Sequence, residues 1–201
     1  MINKKRLKKE ILLCLLVCTA AAVLSLIYFI IRGGGAFTVV DDFNKQEIPF
    51  NTAMHNAVSL GGEWNWGLDL GTANIHGFGF YGLGGVYAWI MMLFPSSMVP
   101  YLIGWGYVLK YTVAGLTSFL WLRKFVKDYR FAVVGALLYA FSGFQTANLE
   151  FYHFHDVVSF FPLLLLSLDH FEEKYRQSDQ LLSREGLLFS AAVAVNCLCN
   201  Y

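Results

Sequence analysis

Two adjacent aspartates, Asp41 and Asp42, stand in the stretch "FTVVDDFNKQEIPF", about ten residues after a long apolar run ends. A carboxylate that is partly desolvated near a membrane surface can take a proton from a hydroxyl nucleophile. Its oxygens can also bind a divalent cation. The plainer interpretation is that both are solvated loop acids, because acids with perturbed acidity are a minority. The residue types alone leave these roles open.

A second group of polar side chains lies in "LEFYHFHDVV", between two apolar segments, and contains Glu150, His153, His155 and Asp156. Histidine and carboxylate together can bind a metal or a phosphate, or share protons. They can equally form an ordinary polar cap on two helices. The helical His-x-x-x-His spacing is missing, so a zinc site is poorly supported. A divalent cation is the one cofactor that these residues leave open.

Lys110 is placed near the middle of the apolar stretch "VPYLIGWGYVLKYTVAGLTSFLWL". A lysine at the centre of a membrane helix costs about 2.5 to 3.5 kcal/mol on insertion scales. Snorkelling is disfavoured because the charge lies about 12 residues, or roughly 18 Å, from either end of the stretch. We therefore expect Lys110 to face the protein interior or a cavity and to meet an anion there.

The composition is that of a membrane protein. The 201 residues are 57% hydrophobic and only 14% charged, with a mean hydropathy of +0.51, which is too apolar for an ordinary water-soluble domain. Five of the fifteen Lys and Arg lie within the first nine residues, so the net charge of +1 gives no indication of a nucleic-acid partner. The four cysteines lie in apolar runs and suggest neither disulfides nor a metal cluster. Nucleotide-binding loops and a serine-nucleophile elbow are missing from the sequence.

The apolar runs and the basic clusters predict how the chain crosses the membrane. Basic clusters at the amino terminus, in "RKFVKDYR" and from Lys174 to Arg184 are expected on the cytoplasmic side. Residues 80–94 are too short and glycine-rich to cross, so an interfacial or re-entrant helix is predicted there; a crossing would place "RKFVKDYR" outside. The predicted order is a cytoplasmic basic segment 1–10, a transmembrane helix 11–31, an outer loop 32–98, transmembrane helices 99–122, 131–149 and 154–171, and the start of a fifth transmembrane helix at 186–201.

The outer segment 32–98 is predicted to be structured. It carries 12 of the 18 glycines together with Trp64 and Trp66. Loops longer than about 15 residues are usually functional or disordered, and the aromatic content argues against disorder. Apolar residues in "IPFNTAMHNAVSLGG" follow a helical period and predict a short amphipathic helix on the membrane surface.

Five stretches, in order over residues 37–171, resemble the YfhO family of membrane proteins, within the GT-C class of polytopic glycosyltransferases. They are "DDFNKQEIPF", "GGEWNWGLDLGTANIHGFGFYGLGGVYAWIMMLFP", "LKYTVAGLTSFLWLRKF", "VVGALLYAFSGF" and "FFPLLLLSLDHF". The resemblance implies an all-α polytopic membrane protein, a GT-C-like helix bundle with a large structured first outer loop. It also implies an outward-opening cavity that takes a polyprenyl-phosphate sugar as donor. Because the sequence stops at Tyr201 while still apolar, we expect it to be the amino-terminal part of a longer protein and inactive alone.

The resemblance also implies roles for the residues singled out above. Asp41 or Asp42 becomes the candidate general base that activates an acceptor hydroxyl on a cell-envelope polymer of teichoic-acid type, on the outer face of the cell membrane. The candidates for binding the donor phosphate, or a cation near it, are Lys110, His153, His155 and Asp156, and Trp64 and Trp66 are added as substrate-binding candidates.

Two other functions stay open from the sequence. One is a multi-pass transporter or lipid flippase in which Lys110 and the acids form a translocation path, and the other is a non-enzymatic assembly subunit. The large outer segment favours the transferase, because transporters usually place their sites near the bilayer midplane.

Overall fold

Nearly all of the regular structure is helical in the computed structural model, which describes residues 4–39, 42–68 and 70–199. A short antiparallel pair of strands places Trp64 opposite Ala73. The predicted all-α fold class is therefore confirmed for the described residues. The elements are α1 (Lys4–Arg32), α2 (Ile48–Leu60), β1 (Trp64–Asn65), β2 (Thr72–Ala73), α3 (Asn74–Phe78), α4 (Val86–Met91), α5 (Val99–Leu122), α6 (Tyr129–Ala140), α7 (Gly143–Ala147), α8 (Phe154–Ser178) and α9 (Arg184–Cys199), with π-helical turns at Phe43–Glu47 and Gly79–Leu83 and a 3₁₀ turn at Ser96–Met98.

Two of the described helices are long and apolar enough to cross a membrane, by length and composition. They are the segment Lys5–Arg32 of α1 and the whole of α8. Helix α5 has 24 residues and is therefore about 36 Å long, but Lys110 interrupts its apolar character. Its bounds coincide with the predicted 99–122.

The predicted continuous helix over 131–149 is not observed. Helix α6 ends at Ala140, and Ser142 adopts an extended conformation before the five-residue α7 begins. The amide of Gln145 donates to the carbonyl oxygen of Ala140 at 3.3 Å, so a side chain satisfies a backbone group that the break releases. The break is a local change of conformation that hydropathy does not register.

Pro162 produces a similar local adjustment inside α8. Proline has no N–H, so the carbonyl oxygen of Val158 loses its helical donor. The hydroxyl of Tyr139 on α6 donates to that oxygen at 2.9 Å. This hydrogen bond joins α6 to α8 at the point where α8 lacks a backbone hydrogen bond.

Helix α5 is the centre of the bundle: α1, α6 and α8 all pack on it, and α9 packs on α8. Glycines on α5 permit the close approach of α1. A Cβ at Gly104 would meet Ile30 Cγ1 at 3.1 Å, and a Cβ at Gly115 would meet Cys18 Sγ at 2.4 Å. Small residues at such contacts are the usual basis of close helix packing in membranes.

We expect Gly115→Ala to destabilise the bundle, because the added methyl group would overlap Cys18 on α1. Overpacking of a tight contact costs about 1 to 3 kcal/mol. Thermal unfolding in detergent measures the loss, and Gly143→Ala is the matched control, since nothing lies within 4 Å of a Cβ at that position. The double variant Gly115→Ala/Cys18→Ala should recover most of the stability. A melting temperature for Gly115→Ala equal to that of the wild type would contradict this packing.

The basic segments gather at one end of the bundle, which we call the basic end. Arg123, after α5, pairs with Glu10 near the start of α1 at 3.0 Å, and both side chains are buried. Lys124 contacts Glu173 at 2.9 Å and Asp169 at 3.3 Å, both on α8. The amino-terminal cluster, "RKFVKDYR" and the segment around Lys174 therefore lie on the same side of the bundle, as the predicted orientation requires.

The 32–98 segment folds onto the opposite half of α5. Its amphipathic helix α2 matches the prediction for "IPFNTAMHNAVSLGG" and ends at Gly61 in the left-handed conformation. His55 on α2 contacts the carbonyl oxygen of Phe94 at 2.6 Å, and Met54, Phe78 and Ala88 form a small separate core. Helix α4 has six residues, about 9 Å of helix, which is far short of the roughly 30 Å of a hydrocarbon core.

Candidate functional site

Lys110 is completely buried on α5, and its ammonium group forms an ion pair with Asp156, in the first turn of α8. Nζ also donates to the carbonyl oxygen of Tyr152 at 2.6 Å. The structure agrees with the expectation that Lys110 faces the interior and meets an anion. That anion comes from the polar stretch "LEFYHFHDVV", so the fold joins two features that the sequence analysis treated separately.

Three tyrosine rings surround the ammonium group. Nζ lies 3.0 Å from the ring centroid of Tyr152, 5.2 Å from that of Tyr87 and 5.9 Å from that of Tyr107. A cation over an aromatic face gains about 2 kcal/mol when it is desolvated. These rings therefore offset part of the cost of burying the Lys110 charge.

The Tyr152 hydroxyl is a donor beside this cation. Burial raises the pKa of Tyr152 well above its ordinary value, so the hydroxyl keeps its proton. Among the described residues this hydroxyl oxygen has no hydrogen-bond partner. Gly106 makes room for it, since a Cβ there would lie 2.1 Å from the hydroxyl. An ammonium group and an unused O–H donor side by side suit an anionic oxygen such as that of a phosphate.

A second buried pair joins the 32–98 segment to the start of α8. His153 Nδ1 donates to Glu47 Oε1 at 2.9 Å, and both side chains are almost fully buried. The amide of Asn51 donates to the other oxygen, Oε2, at 3.1 Å. Glu47 ends the π-helical turn Phe43–Glu47 and leads directly into α2.

The two pairs act on each other electrostatically: Glu47 on Lys110, and His153 on Asp156. We call Glu47, Lys110, His153 and Asp156 the buried charge cluster. It contains two acids and two basic groups. Within residues 4–39, 42–68 and 70–199, no group of three or more His, Cys, Asp or Glu side chains is arranged to hold a metal.

Sequence reasoning missed Glu47, although a signal for it was present. Glu47, Asn51 and Met54 are spaced four and three residues apart and are all buried. This is the spacing of one helical face, and an acid on the buried face of an otherwise apolar helix requires a partner. The partner, His153, lies 106 residues along the chain.

The remaining predicted site residues have different surroundings. His155 does not belong to the buried charge cluster. Its Nε2 donates to the carbonyl oxygen of Asn148 at 3.0 Å, and its ring packs on Tyr107 and Tyr111. Asp41 lies outside the described residues. Asp42 is half-buried and precedes the π-helical turn without capping it by a side-chain hydrogen bond. It is five residues from Glu47, so the acidic motif leads into the cluster.

Trp64 and Trp66 lie on the surface of the 32–98 segment and not in the charge cluster. Their side chains are 53% and 79% exposed. The two rings meet edge to face with centroids 5.6 Å apart, beside Gly71. Exposed aromatic rings of this kind are available to an external ligand or to the lipid interface.

An apolar crevice of about 120 Å³ lies between α4 and α5. Tyr87 and Tyr152, two of the rings around the Lys110 ammonium, form part of its wall. Met91, Leu102 and Trp105 line the rest of the crevice with apolar surface. A buried cation therefore stands directly behind the wall of an apolar site.

The family described as "Bacterial membrane protein YfhO" matches residues 14–178, a range that includes Asp41, Asp42 and the whole charge cluster. No curated protein and no solved structure matches the chain.

Proposed function

Because the chain belongs to the YfhO family of bacterial membrane proteins, we propose that it is a polytopic membrane glycosyltransferase. It moves a sugar from a polyprenyl-phosphate donor to a cell-envelope acceptor, a polymer of teichoic-acid type, on the outer face of the membrane. The amino terminus is cytoplasmic. Helices α1, α5, α8 and α9, and the pair α6 and α7 as one broken crossing, carry the chain through the bilayer.

The position of the basic end supports this orientation. Lysines and arginines in short loops stay on the cytoplasmic side, and Arg123 and Lys124 share the basic end with the start of α1. The opposite half of α5, which the 32–98 segment covers, then faces outward. A broken crossing at α6 and α7 is acceptable because protein surrounds it: Gln145 is fully buried, and Tyr111 donates to its carbonyl oxygen.

The observation that carries the proposal is the buried Lys110 ammonium behind the wall of an apolar crevice. A polyprenyl phosphate has an anionic head and an apolar chain, so the first part of its chain suits the crevice of about 120 Å³, and its phosphate suits Lys110 and the Tyr152 hydroxyl. In the structure the Lys110 ammonium group already forms an ion pair with Asp156. The donor phosphate would compete with Asp156 for the same cation.

The proposed reaction is a single displacement. The acceptor hydroxyl attacks the anomeric carbon of the donor sugar, a new C–O bond forms, and the bond from that carbon to the phosphate oxygen breaks. A single displacement of this kind inverts the anomeric configuration. Asp41 or Asp42 takes the hydroxyl proton, and the polyprenyl phosphate leaves with its charge stabilised by Lys110, which is the usual electrostatic contribution to such a step.

We expect either Asp41→Asn or Asp42→Asn to lower sugar transfer by about 10² to 10⁴-fold, the usual contribution of a general base. The measurement is transfer of labelled sugar from a purified polyprenyl-phosphate donor by full-length protein in membranes, at matched protein amounts. Glu63→Gln is the control, since Glu63 is an exposed acid of the same segment. If both aspartate variants transferred sugar at the wild-type rate, neither Asp41 nor Asp42 would be the general base.

A transporter or lipid flippase is the second candidate, and the depth of Lys110 favours it. Lys110 is the twelfth of the 24 residues of α5, near the level at which transporters bind their substrates. One experiment distinguishes the transporter from the transferase. A transporter would move its substrate across the membrane without any sugar transfer, and Lys110→Met would stop that movement.

A further inference from the structure

A second crevice, of about 460 Å³, lies between α8 and α9 and takes no part in the chemistry described above. Its apolar wall comes from both helices and includes Leu163, Leu166 and Leu188. Its polar lining comes from Ser167 and, at one end, from His170, Arg184 and Glu185. We call it the α8–α9 crevice.

The polar and apolar parts are separated along the helices. From Leu163 to His170 is seven residues of α8, and from Arg184 to Ala192 is eight residues of α9, so each wall runs for about 10 to 12 Å. His170 follows Asp169, which contacts Lys124 at the basic end. The polar lining therefore lies near the basic end, and the apolar wall extends from there into the bundle.

The charges at the polar end are not paired with other charges in the described part of the chain. Arg184 and Glu185 form no ion pair with any described residue, whereas Arg123, Lys124 and Arg176 at the same end each pair with an acid. Ser183 accepts from the N–H of Gly186 at 3.1 Å, so the hydrogen-bonding cap of α9 comes from Ser183. A guanidinium group and a carboxylate thus both line the polar end of a crevice whose remaining wall is largely apolar.

We propose that the α8–α9 crevice binds a phospholipid of the inner leaflet whose head carries both a phosphate and a primary amine. The phosphate pairs with Arg184 and accepts from His170, the ammonium group pairs with Glu185, and one acyl chain lies along the leucine wall. The ligand is zwitterionic because the crevice offers charges of both signs. The inference rests on α8 and α9 crossing the membrane, which is part of the proposed function, but it does not depend on sugar transfer.

Phosphatidylethanolamine is the probe for this site. Native mass spectrometry of the full-length protein in mild detergent measures its binding beside phosphatidylcholine of equal chain length, which has the phosphate but no N–H donor. We expect Arg184→Gln to weaken phosphatidylethanolamine binding about tenfold, the effect of losing about 1.4 kcal/mol. Arg176→Gln is the matched control, because it removes the same charge at the same end from a residue that pairs with Glu172.

Two further variants test the head and the chain separately. Glu185→Gln should abolish the preference for phosphatidylethanolamine over phosphatidylcholine, and Leu188→Trp should weaken both lipids by filling the crevice. Inorganic phosphate should not compete, since it lacks the acyl chain. Equal binding by the wild type and Arg184→Gln, or full competition by phosphate, would overturn the proposal. Because the assay reads lipid binding alone, its failure leaves the transferase proposal untouched.

Discussion

Lys110→Met is expected to cost the protein about 3 to 5 kcal/mol of folding free energy. Asp156 is 3% exposed and pairs with Lys110, so the variant leaves a buried carboxylate without its partner. The methionine side chain keeps the volume of the lysine stem but cannot donate to the Tyr152 carbonyl oxygen. Thermal or denaturant unfolding in detergent measures this loss, and sugar transfer should fall to background.

The double variant Lys110→Met/Asp156→Asn separates stability from function. It removes both charges, and neutral replacement of a buried ion pair is often close to neutral in stability. We therefore expect the double variant to regain most of the lost stability while transfer stays at background, because the donor phosphate still lacks its cation. A stable, fully active Lys110→Met protein would show that the Lys110–Asp156 pair contributes neither to stability nor to sugar transfer.

Glu47→Gln is expected to lower transfer by about 10² to 10³-fold, the range found when one preorganised polar group of a catalytic site is removed. The glutamine keeps the shape of the side chain and can still accept from Asn51, but the carboxylate facing His153 is lost. Glu47 is a positioning residue: through its pair with His153 it holds the π-helical turn Phe43–Glu47 against the start of α8. Transfer assays at matched protein amounts measure the effect.

Two variants show whether the Glu47 effect depends on its contact with His153. Glu47→Asp keeps the charge but shortens the side chain by one carbon, about 1.5 Å, so the 2.9 Å contact opens; transfer should fall here too, though less than in Glu47→Gln. Glu63→Gln, an exposed acid on the same segment, should transfer at the wild-type rate. If Glu47→Gln matched Glu63→Gln in transfer, the pairing with His153 would have no part in the reaction.

Several features of the fold could be predicted from the sequence because they depend on local pattern. The period of apolar residues in "IPFNTAMHNAVSLGG" predicts α2, and the length of the apolar run predicts α5. The burial of Lys110 could also be predicted, because an ammonium group at the middle of an apolar membrane helix is costly to expose to lipid and therefore faces the protein interior. Each of these depends on residues within one element.

The features that could not be predicted depend on contacts between distant parts of the chain. Glu47 meets His153 across 106 residues, and no local pattern selects that histidine over His155. The two histidines are two residues apart in sequence, yet one joins the charge cluster and the other packs between tyrosines. The break between α6 and α7 was missed for a related reason, since the side chain of Gln145 compensates for it and hydropathy does not detect such a contact.

The proposed function is sugar transfer from a polyprenyl phosphate at the buried charge cluster. The most direct measurement is labelled-sugar transfer from a purified polyprenyl-phosphate donor by full-length protein in membranes, with wild type beside Lys110→Met/Asp156→Asn at equal amounts. We predict transfer by the wild type and background signal from the folded double variant. No transfer by the wild type with any donor sugar, or equal transfer by both proteins, would contradict the account.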